Sequence, residues 1–141
     1  ESLTGGMISA ALTSVSGSSA VVRGGVVSYA IPVKHEVLGV PYEGVLSDPG
    51  IGAVSSECAE AMACGARDVL RCDVAVSTTG IAGPGGEEPG KPVGTVWFGA
   101  AWHGQSRSHV RCFDGDRADV RRFACREALS FMREVIVELS S

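Results

Sequence analysis

A serine pair, a tyrosine and a lysine are the residues of this 141-residue chain that together could do chemistry. Ser18 and Ser19 are followed by Tyr29 and then by Lys34. A serine hydroxyl becomes a nucleophile when a base takes its proton, and a lysine is such a base only where its surroundings keep the amine uncharged. The four residues therefore indicate a hydrolytic Ser-Lys site, although by spacing alone a turn serine and a surface lysine are the commoner occurrence.

Two glycine-bearing loops frame this set. Thr4-Gly5-Gly6 precedes a helical pattern that begins at Met7, so we predict Thr4 as the helix N-cap and the free amides behind it as an anion site. The second loop runs from Thr79 to Gly86 and follows a predicted strand, where glycine lets backbone amides approach a phosphate or an oxyanion. A mobile surface loop is the alternative for this second segment. The spacing of the glycines matches neither a P-loop nor a dinucleotide fingerprint.

The elements that must position these residues alternate between strand and helix. The pattern predicts a helix from Met7, a buried strand over 24–30, a short helix over 32–38, a helix from about Ser55, a strand over 73–77, a hairpin over 92–113 and a final helix after Asp116. Lys34 then lies in a first helical turn, where the positive end of the helix dipole lowers the pKa of its amine. This order favours an α/β fold, specifically a three-layer α/β/α sandwich with a mixed, mostly parallel sheet.

Composition excludes several classes of partner. A formal net charge of −4 argues against a nucleic-acid-binding protein, and the longest apolar run, 93–102, is about half of a membrane span. The five cysteines are scattered without a CxxC pair, and His35, His103 and His109 share no ligand spacing, so we expect no metal and a reduced, cytoplasmic protein. The predicted partner is a small molecule.

A series of motifs carries a resemblance to a known family. The motifs are Glu1-Ser2-Leu3-Thr4-Gly5-Gly6, Gly17-Ser18-Ser19-Ala20, Gly24-Gly25-Val26-Val27-Ser28-Tyr29, Lys34-His35, Gly52-Ala53-Val54-Ser55, Thr79-Gly80-Ile81-Ala82-Gly83-Pro84, Lys91-Pro92-Val93-Gly94-Thr95-Val96-Trp97 and Gly115-Asp116-Arg117. Together they resemble the C-terminal domain of the competence/damage-inducible protein CinA over nearly the whole chain. The resemblance implies one domain over residues 1–141, and family members usually have a further helix and strand before the first motif.

Stand-alone members of that family, often called PncC, are nicotinamide mononucleotide amidohydrolases. The resemblance implies deamidation to nicotinate mononucleotide and ammonia without metal or cofactor, and a homo-oligomer, with a dimer favoured. By motif match Ser19 is the nucleophile, Lys34 the base and Tyr29 the hydroxyl between them.

The substrate-binding residues follow from the same motifs and loops. Amides around Ser18 and Ser19, or those of the Thr79 to Gly83 loop, are the alternatives for stabilising the oxyanion. The helix start is the first choice for the phosphate, with Arg117 as the second, whereas Asp116 beside it is equally suited to cap the last helix. The predicted binding residues are Thr4, Gly5, Gly6, Ser18, Thr79, Gly80, Ala82, Gly83 and Arg117.

The chain departs from the family pattern in three places. Leu3 replaces the usual cysteine, Ala30-Ile31 replaces the usual Ser-Asn, and the segment 47–51 looks longer than usual. Loss of these polar groups removes a helix cap and substrate contacts near Lys34. A different amide substrate and a non-catalytic nucleotide-binding or assembly domain therefore stay open as alternatives.

Overall fold

An antiparallel sheet of three strands lies in the middle of the protein. The computed structural model describes residues 1–141, and its strands are β1 (Val74–Gly80), β2 (Thr95–Trp102) and β3 (Gln105–Cys112), in the order β1-β2-β3. The α/β class is confirmed, but the prediction of a mostly parallel sheet is wrong. Parallel neighbours need a crossover connection, whereas residues 81–94 contain no helix and β2 turns directly into β3.

The predicted hairpin is present, and its turn has two residues. His103 and Gly104 alone connect β2 to β3, with φ of 44° and 76°. Positive φ at both central residues is typical of the two-residue turns whose twist matches that of the flanking strands.

Four helices surround the sheet. They are α1 (Met7–Thr13), α2 (Ile31–Glu36), α3 (Ser56–Leu70) and α4 (Arg117–Leu139), and a 3-10 turn covers Ser18–Ala20. The predicted starts of the two long helices agree with the structure, because Ser55 accepts from the Cys58 amide and Asp116 forms a capping box with Asp119. None of the helices is both long enough and apolar enough to cross a bilayer.

The two long helices pack against opposite faces of the sheet. Phe98 and Ala100 of β2 are fully buried in a cluster with α4, whereas Gly99 between them faces α3. Successive side chains of a strand point to opposite faces, so this alternation places α3 on one side and α4 on the other. The α4 residues in the cluster are Val120, Ala124, Cys125, Ala128, Phe131 and Val135.

The first residues of the chain extend the hydrogen bonding of the sheet beyond β1. The Ser2 amide donates to the Thr78 carbonyl at 3.1 Å, and the Ser28 amide donates to the Glu1 carbonyl at 2.8 Å. The prediction of a buried strand over 24–30 is wrong: the segment contacts only Glu1 in this way, and its side chains other than Ser28 are at least partly exposed. Residues 24–30 pair only with the short segment at Glu1, and no second strand lies beside them to bury their side chains.

The contact between α3 and the sheet depends on Gly99. A Cβ atom at this position would lie 2.2 Å from the Ala59 carbonyl oxygen, so helix and strand would have to separate. We expect Gly99→Ala to lower the free energy of unfolding by about 1–3 kcal/mol, measured by urea titration. Gly85→Ala is the matched control, since no atom lies within 4 Å of its Cβ position, and equal stability of both variants would contradict this packing.

Candidate active site

The amine of Lys34 is the polar centre of the candidate site. The side chain is 2% exposed, and Nζ donates to the carbonyls of Ser28 at 2.6 Å and Tyr29 at 3.0 Å. Burial lowers the pKa of this amine, and the neighbouring Cys58 acts more weakly in the opposite direction. The structure therefore supplies the shift toward a neutral amine that a lysine base requires.

The third polar partner of this amine is Ser2, which the sequence analysis did not select. Nζ of Lys34 lies 3.0 Å from Ser2 Oγ, within hydrogen-bond reach of a nucleophile and its base. The Ser2 backbone is fixed by the bond to Thr78 on β1 and by the Gly5 amide, which donates to the Ser2 carbonyl at 3.0 Å. The local signal in the sequence was limited to the position of Ser2 three residues before a glycine pair that opens a helix.

Ser19 lies elsewhere. It is exposed on the 3-10 turn with Ser18, makes no side-chain hydrogen bond and does not line the cleft at Lys34. The structure does not bring Ser19 to Lys34, since Ser2, Ser28 and Tyr29 make all the polar contacts of the amine. The amides around Ser18 and Ser19 therefore lie away from the Lys34 amine and are not placed to stabilise an oxyanion beside it.

A cleft of about 260 Å³ opens onto the Ser2–Lys34 pair. Its lining includes Tyr29, Lys34, Thr79, Gly80, Ala82 and Arg117 of the predicted site, and it is completed by Ser2, Leu3, Ile31, Ala53 and Val54. A larger cavity of about 530 Å³ lies apart from this chemistry, is mostly apolar and is lined by neither Ser2 nor Lys34. The small cleft is thus the one that combines a serine hydroxyl, a buried lysine amine and a cation without a carboxylate partner.

That cation is Arg117, which connects two walls of the cleft. Nη1 donates to the Gly83 carbonyl at 2.8 Å, and Nη2 donates to the Tyr29 hydroxyl at 3.2 Å. No carboxylate lies within ion-pair distance of this guanidinium. The Tyr29 hydroxyl is bonded to Arg117 rather than to Lys34, so the structure gives it no relay position between serine and lysine.

The start of α1 is already occupied by a carboxylate of the chain itself. Glu1 accepts from the amides of Gly6, Ile8 and Ser9 at 2.9–3.1 Å and from the Ser9 hydroxyl at 2.8 Å. Burial acts to raise the pKa of Glu1, but these hydrogen bonds outweigh it and the pKa is lowered. The helix amides at the predicted phosphate site, Thr4-Gly5-Gly6, are therefore already satisfied within the chain.

Thr4 also has a different role from the predicted one. The N-cap residue of α1 is Gly6, and the Thr4 hydroxyl is buried against the Thr78 hydroxyl at 2.9 Å. This bond joins the turn after Ser2 to β1 and leaves no free hydroxyl for a ligand.

Backbone amides without an acceptor in the protein are available at the cleft. Leu3, directly after Ser2, and Ala82, in the glycine loop, both line the cleft, and neither amide donates within the protein. The Cys58 thiol is buried, which raises its pKa to about 11 and leaves it protonated and unreactive near neutral pH. No group of three or more His, Cys, Asp or Glu side chains is placed to hold a metal ion.

Comparison with known proteins agrees with this architecture. The CinA C-terminal domain profile matches residues 1–136. CinA-like proteins of Citrifermentans bemidjiense and Mycolicibacterium gilvum are each 45% identical over 137 residues, covering 97% and 96% of this chain and 32% of each relative. The chain thus spans about a third of the length of these curated relatives.

Solved structures of competence/damage-inducible proteins have the same fold as this chain. The competence damage-inducible protein A (ComA) of Klebsiella pneumoniae superposes with a TM-score of 0.90 at 37% identity, over 96% of this chain and 83% of that one. The competence/damage-inducible protein CihA of Agrobacterium tumefaciens gives 0.87 at 42% identity, over 99% and 82%. With its sequence matched over residues 1–136 and its fold matched by these structures, the chain belongs to the CinA C-terminal domain family.

Proposed function

We propose that this domain is an amidohydrolase that converts nicotinamide mononucleotide to nicotinate mononucleotide and ammonia, with Ser2 as nucleophile and Lys34 as base. The observation that carries the proposal is the 3.0 Å approach of the Lys34 amine to the Ser2 hydroxyl inside a buried site. The reaction itself is the one implied by the family resemblance. This chain covers about a third of the length of its curated relatives. That a longer protein containing this domain has the same activity is therefore also a proposal.

The hydrogen-bond inventory of the amine fits a base. A neutral amine has two hydrogens and one lone pair, and the carbonyls of Ser28 and Tyr29 accept the two hydrogens. The lone pair is then directed at Ser2, whose hydroxyl can donate its proton. Once protonated, the ammonium has three donors for the same three oxygens, so proton transfer requires no rearrangement of the site.

The chemistry proceeds in two acyl-transfer steps. Lys34 takes the Ser2 proton while Oγ attacks the carboxamide carbon, and the amides of Leu3 and Ala82 are suited to stabilise the resulting oxyanion. Lys34 then returns the proton to the departing nitrogen, and ammonia leaves an ester on Ser2. A water molecule, deprotonated by the same amine, hydrolyses this ester to the carboxylate and restores the serine.

The lining of the cleft supports a flat, anionic substrate. Ile31, Val54 and Ala82 supply apolar surface for an aromatic ring, whereas Arg117 supplies a charge without a carboxylate partner. Because the amides at the start of α1 are occupied by Glu1, we assign the phosphate to Arg117. Assembly as a homo-oligomer and a cytoplasmic location stay predictions from sequence.

A non-catalytic nucleotide-binding domain is the second candidate. Its supporting observation is the low exposure of the pair, since Ser2 is 7% and Lys34 2% exposed. Ala30, the N-cap residue of α2, and Ile31, its first residue, also make no side-chain hydrogen bond at this wall of the cleft. Such a protein would bind the mononucleotide without releasing ammonia.

The serine assignment is tested by ammonia release from nicotinamide mononucleotide. We expect Ser2→Ala to reduce kcat by about 1000-fold or more while mononucleotide binding, measured by calorimetry, is retained. Ser19→Ala is the matched control and should keep its rate within about twofold, because this exposed residue contacts neither Lys34 nor the cleft. The reverse pattern would restore Ser19 as nucleophile, and binding without turnover by the unmodified protein would favour the second candidate.

The base assignment predicts the pH dependence of the rate. Burial lowers the pKa of Lys34 from its ordinary value of 10.5, and the protonated amine cannot accept the Ser2 proton. We therefore expect kcat/KM to rise with pH up to this lowered pKa and to fall, with a slope of about one, as pH decreases below it. Lys34→Met should abolish turnover at every pH, and a flat profile for the unmodified enzyme would contradict Lys34 as the base.

A further inference from the structure

The turn that carries Ser2 has a contact with α4 that neither the family motifs nor the proposed chemistry uses. Nε of Arg121 donates to the Leu3 carbonyl at 2.9 Å, and no other group donates to that oxygen. The guanidinium continues along the turn, because a Cβ atom at Gly5 would lie 3.4 Å from Nη2 of Arg121. Arg121 therefore lies against the backbone of the residues that directly follow the nucleophile.

Nothing else in the structure accounts for this arginine. It has no carboxylate within ion-pair distance, whereas the adjacent Arg122 bonds to Asp119 at 2.8 Å and lies over the Phe123 ring. Arg121 follows Arg117 by four residues and so occupies the same face of α4, toward the cleft. An arginine whose hydrogen bond goes to a backbone carbonyl beside a nucleophile differs from an ordinary surface ion pair.

We propose that Arg121 is a positioning residue that holds the Leu3 carbonyl and thereby keeps Ser2 Oγ within reach of Lys34. The inference rests on the proposed role of Ser2. The turn has anchors on three sides: Ser2 is bonded to β1, Gly5 closes the turn onto Ser2, and Arg121 connects Leu3 to α4.

The geometric reason lies in the planar peptide groups on either side of Leu3. Fixing the Leu3 carbonyl restricts rotation about the backbone bonds of Leu3, which directly follows Ser2 and lines the cleft. Without Arg121 the Leu3 carbonyl has no protein donor, and the turn can rotate about the bonds of Leu3. A displacement of about 1 Å at reacting atoms costs on the order of 100-fold in rate, so a modest rotation is sufficient to uncouple serine from lysine.

The test compares Arg121→Met, which keeps a long side chain but removes the donor and the charge, with Arg122→Met as matched control. For ammonia release from nicotinamide mononucleotide we expect Arg121→Met to lower kcat by about 10–100-fold, with KM changed less than about threefold. Arg122→Met should stay within about twofold of the unmodified enzyme. Thermal unfolding should show both variants folded at the assay temperature.

Rescue separates positioning from a general structural effect. Arg121→Lys keeps a charge and a donor and should recover part of the lost kcat. Added guanidinium at millimolar concentration should raise the rate of Arg121→Ala and leave that of Arg122→Ala unchanged. Unchanged kcat in Arg121→Met, a change confined to KM, or an equal loss in Arg122→Met would each overturn the inference.

Reactivity of the serine provides a readout that does not depend on the substrate. A fluorophosphonate probe should label Ser2 several-fold more slowly in Arg121→Met than in Arg122→Met. If the unmodified protein releases no ammonia but Ser2 is labelled and the rate depends on Arg121, the proposed substrate fails and the positioning role stands. Absence of both ammonia release and labelling would overturn the positioning role as well, because no activated serine would exist.

Discussion

Burial of the Lys34 amine is the constraint on which the arrangement of the site depends. A buried ammonium or amine is tolerated only where its hydrogens find acceptors, and here these are two consecutive backbone carbonyls, Ser28 and Tyr29. Two such carbonyls converge on one atom because the chain turns from the extended segment directly into α2. The lysine thus reaches back to the backbone just before its own helix, and Ser2 is the one side-chain hydroxyl that meets it.

The sheet and α3 provide the rigid surroundings of that amine. Ser2 is tied to β1, and Cys58 in the first turn of α3 lies close enough to influence the Lys34 pKa. The close approach of α3 to Gly99 fixes the distance between this helix and the sheet. Ser2, Cys58 and Gly99 are small residues at these contacts, and their size allows a chain of this length to enclose the Ser2–Lys34 pair.

Local patterns in the sequence predicted the parts of the fold that depend on near neighbours. The starts of α3 and α4 follow from Ser55 and Asp116, and the hairpin from its alternating strands and turn. The cleft residues Thr79, Gly80 and Ala82 were found in the same way, because a glycine loop after a strand is a local signal. The sequence also predicted a lowered pKa for Lys34, but it attributed the shift to the helix dipole, whereas burial is the main cause in the structure.

The missed parts depend on contacts between distant segments. Ser2 and Lys34 are separated by 32 positions and meet only because residues 26–29 run beside the chain start. The antiparallel arrangement of β1 and β2 likewise depends on the segment that connects them. The sequence of that segment contains no local pattern that indicates or excludes a crossover connection. The motif order was therefore sufficient to identify the family and insufficient to show that Ser2, and not Ser19, contacts Lys34.

The Glu1 carboxylate at the start of α1 has a consequence for how the domain selects anions. Because this carboxylate belongs to the same chain and is held within a few residues of its amides, its effective concentration at the helix start exceeds that of any dissolved phosphate. Under the proposed function, selection of the substrate's phosphate is thereby transferred from the backbone amides of α1 to the side chain of Arg117 in the cleft. Under the proposed function, the phosphate contact of Arg117 lies on α4 whereas Ser2 and Lys34 lie on other elements, so a substitution at Arg117 alters the charge that a ligand must carry while the serine and lysine stay in place.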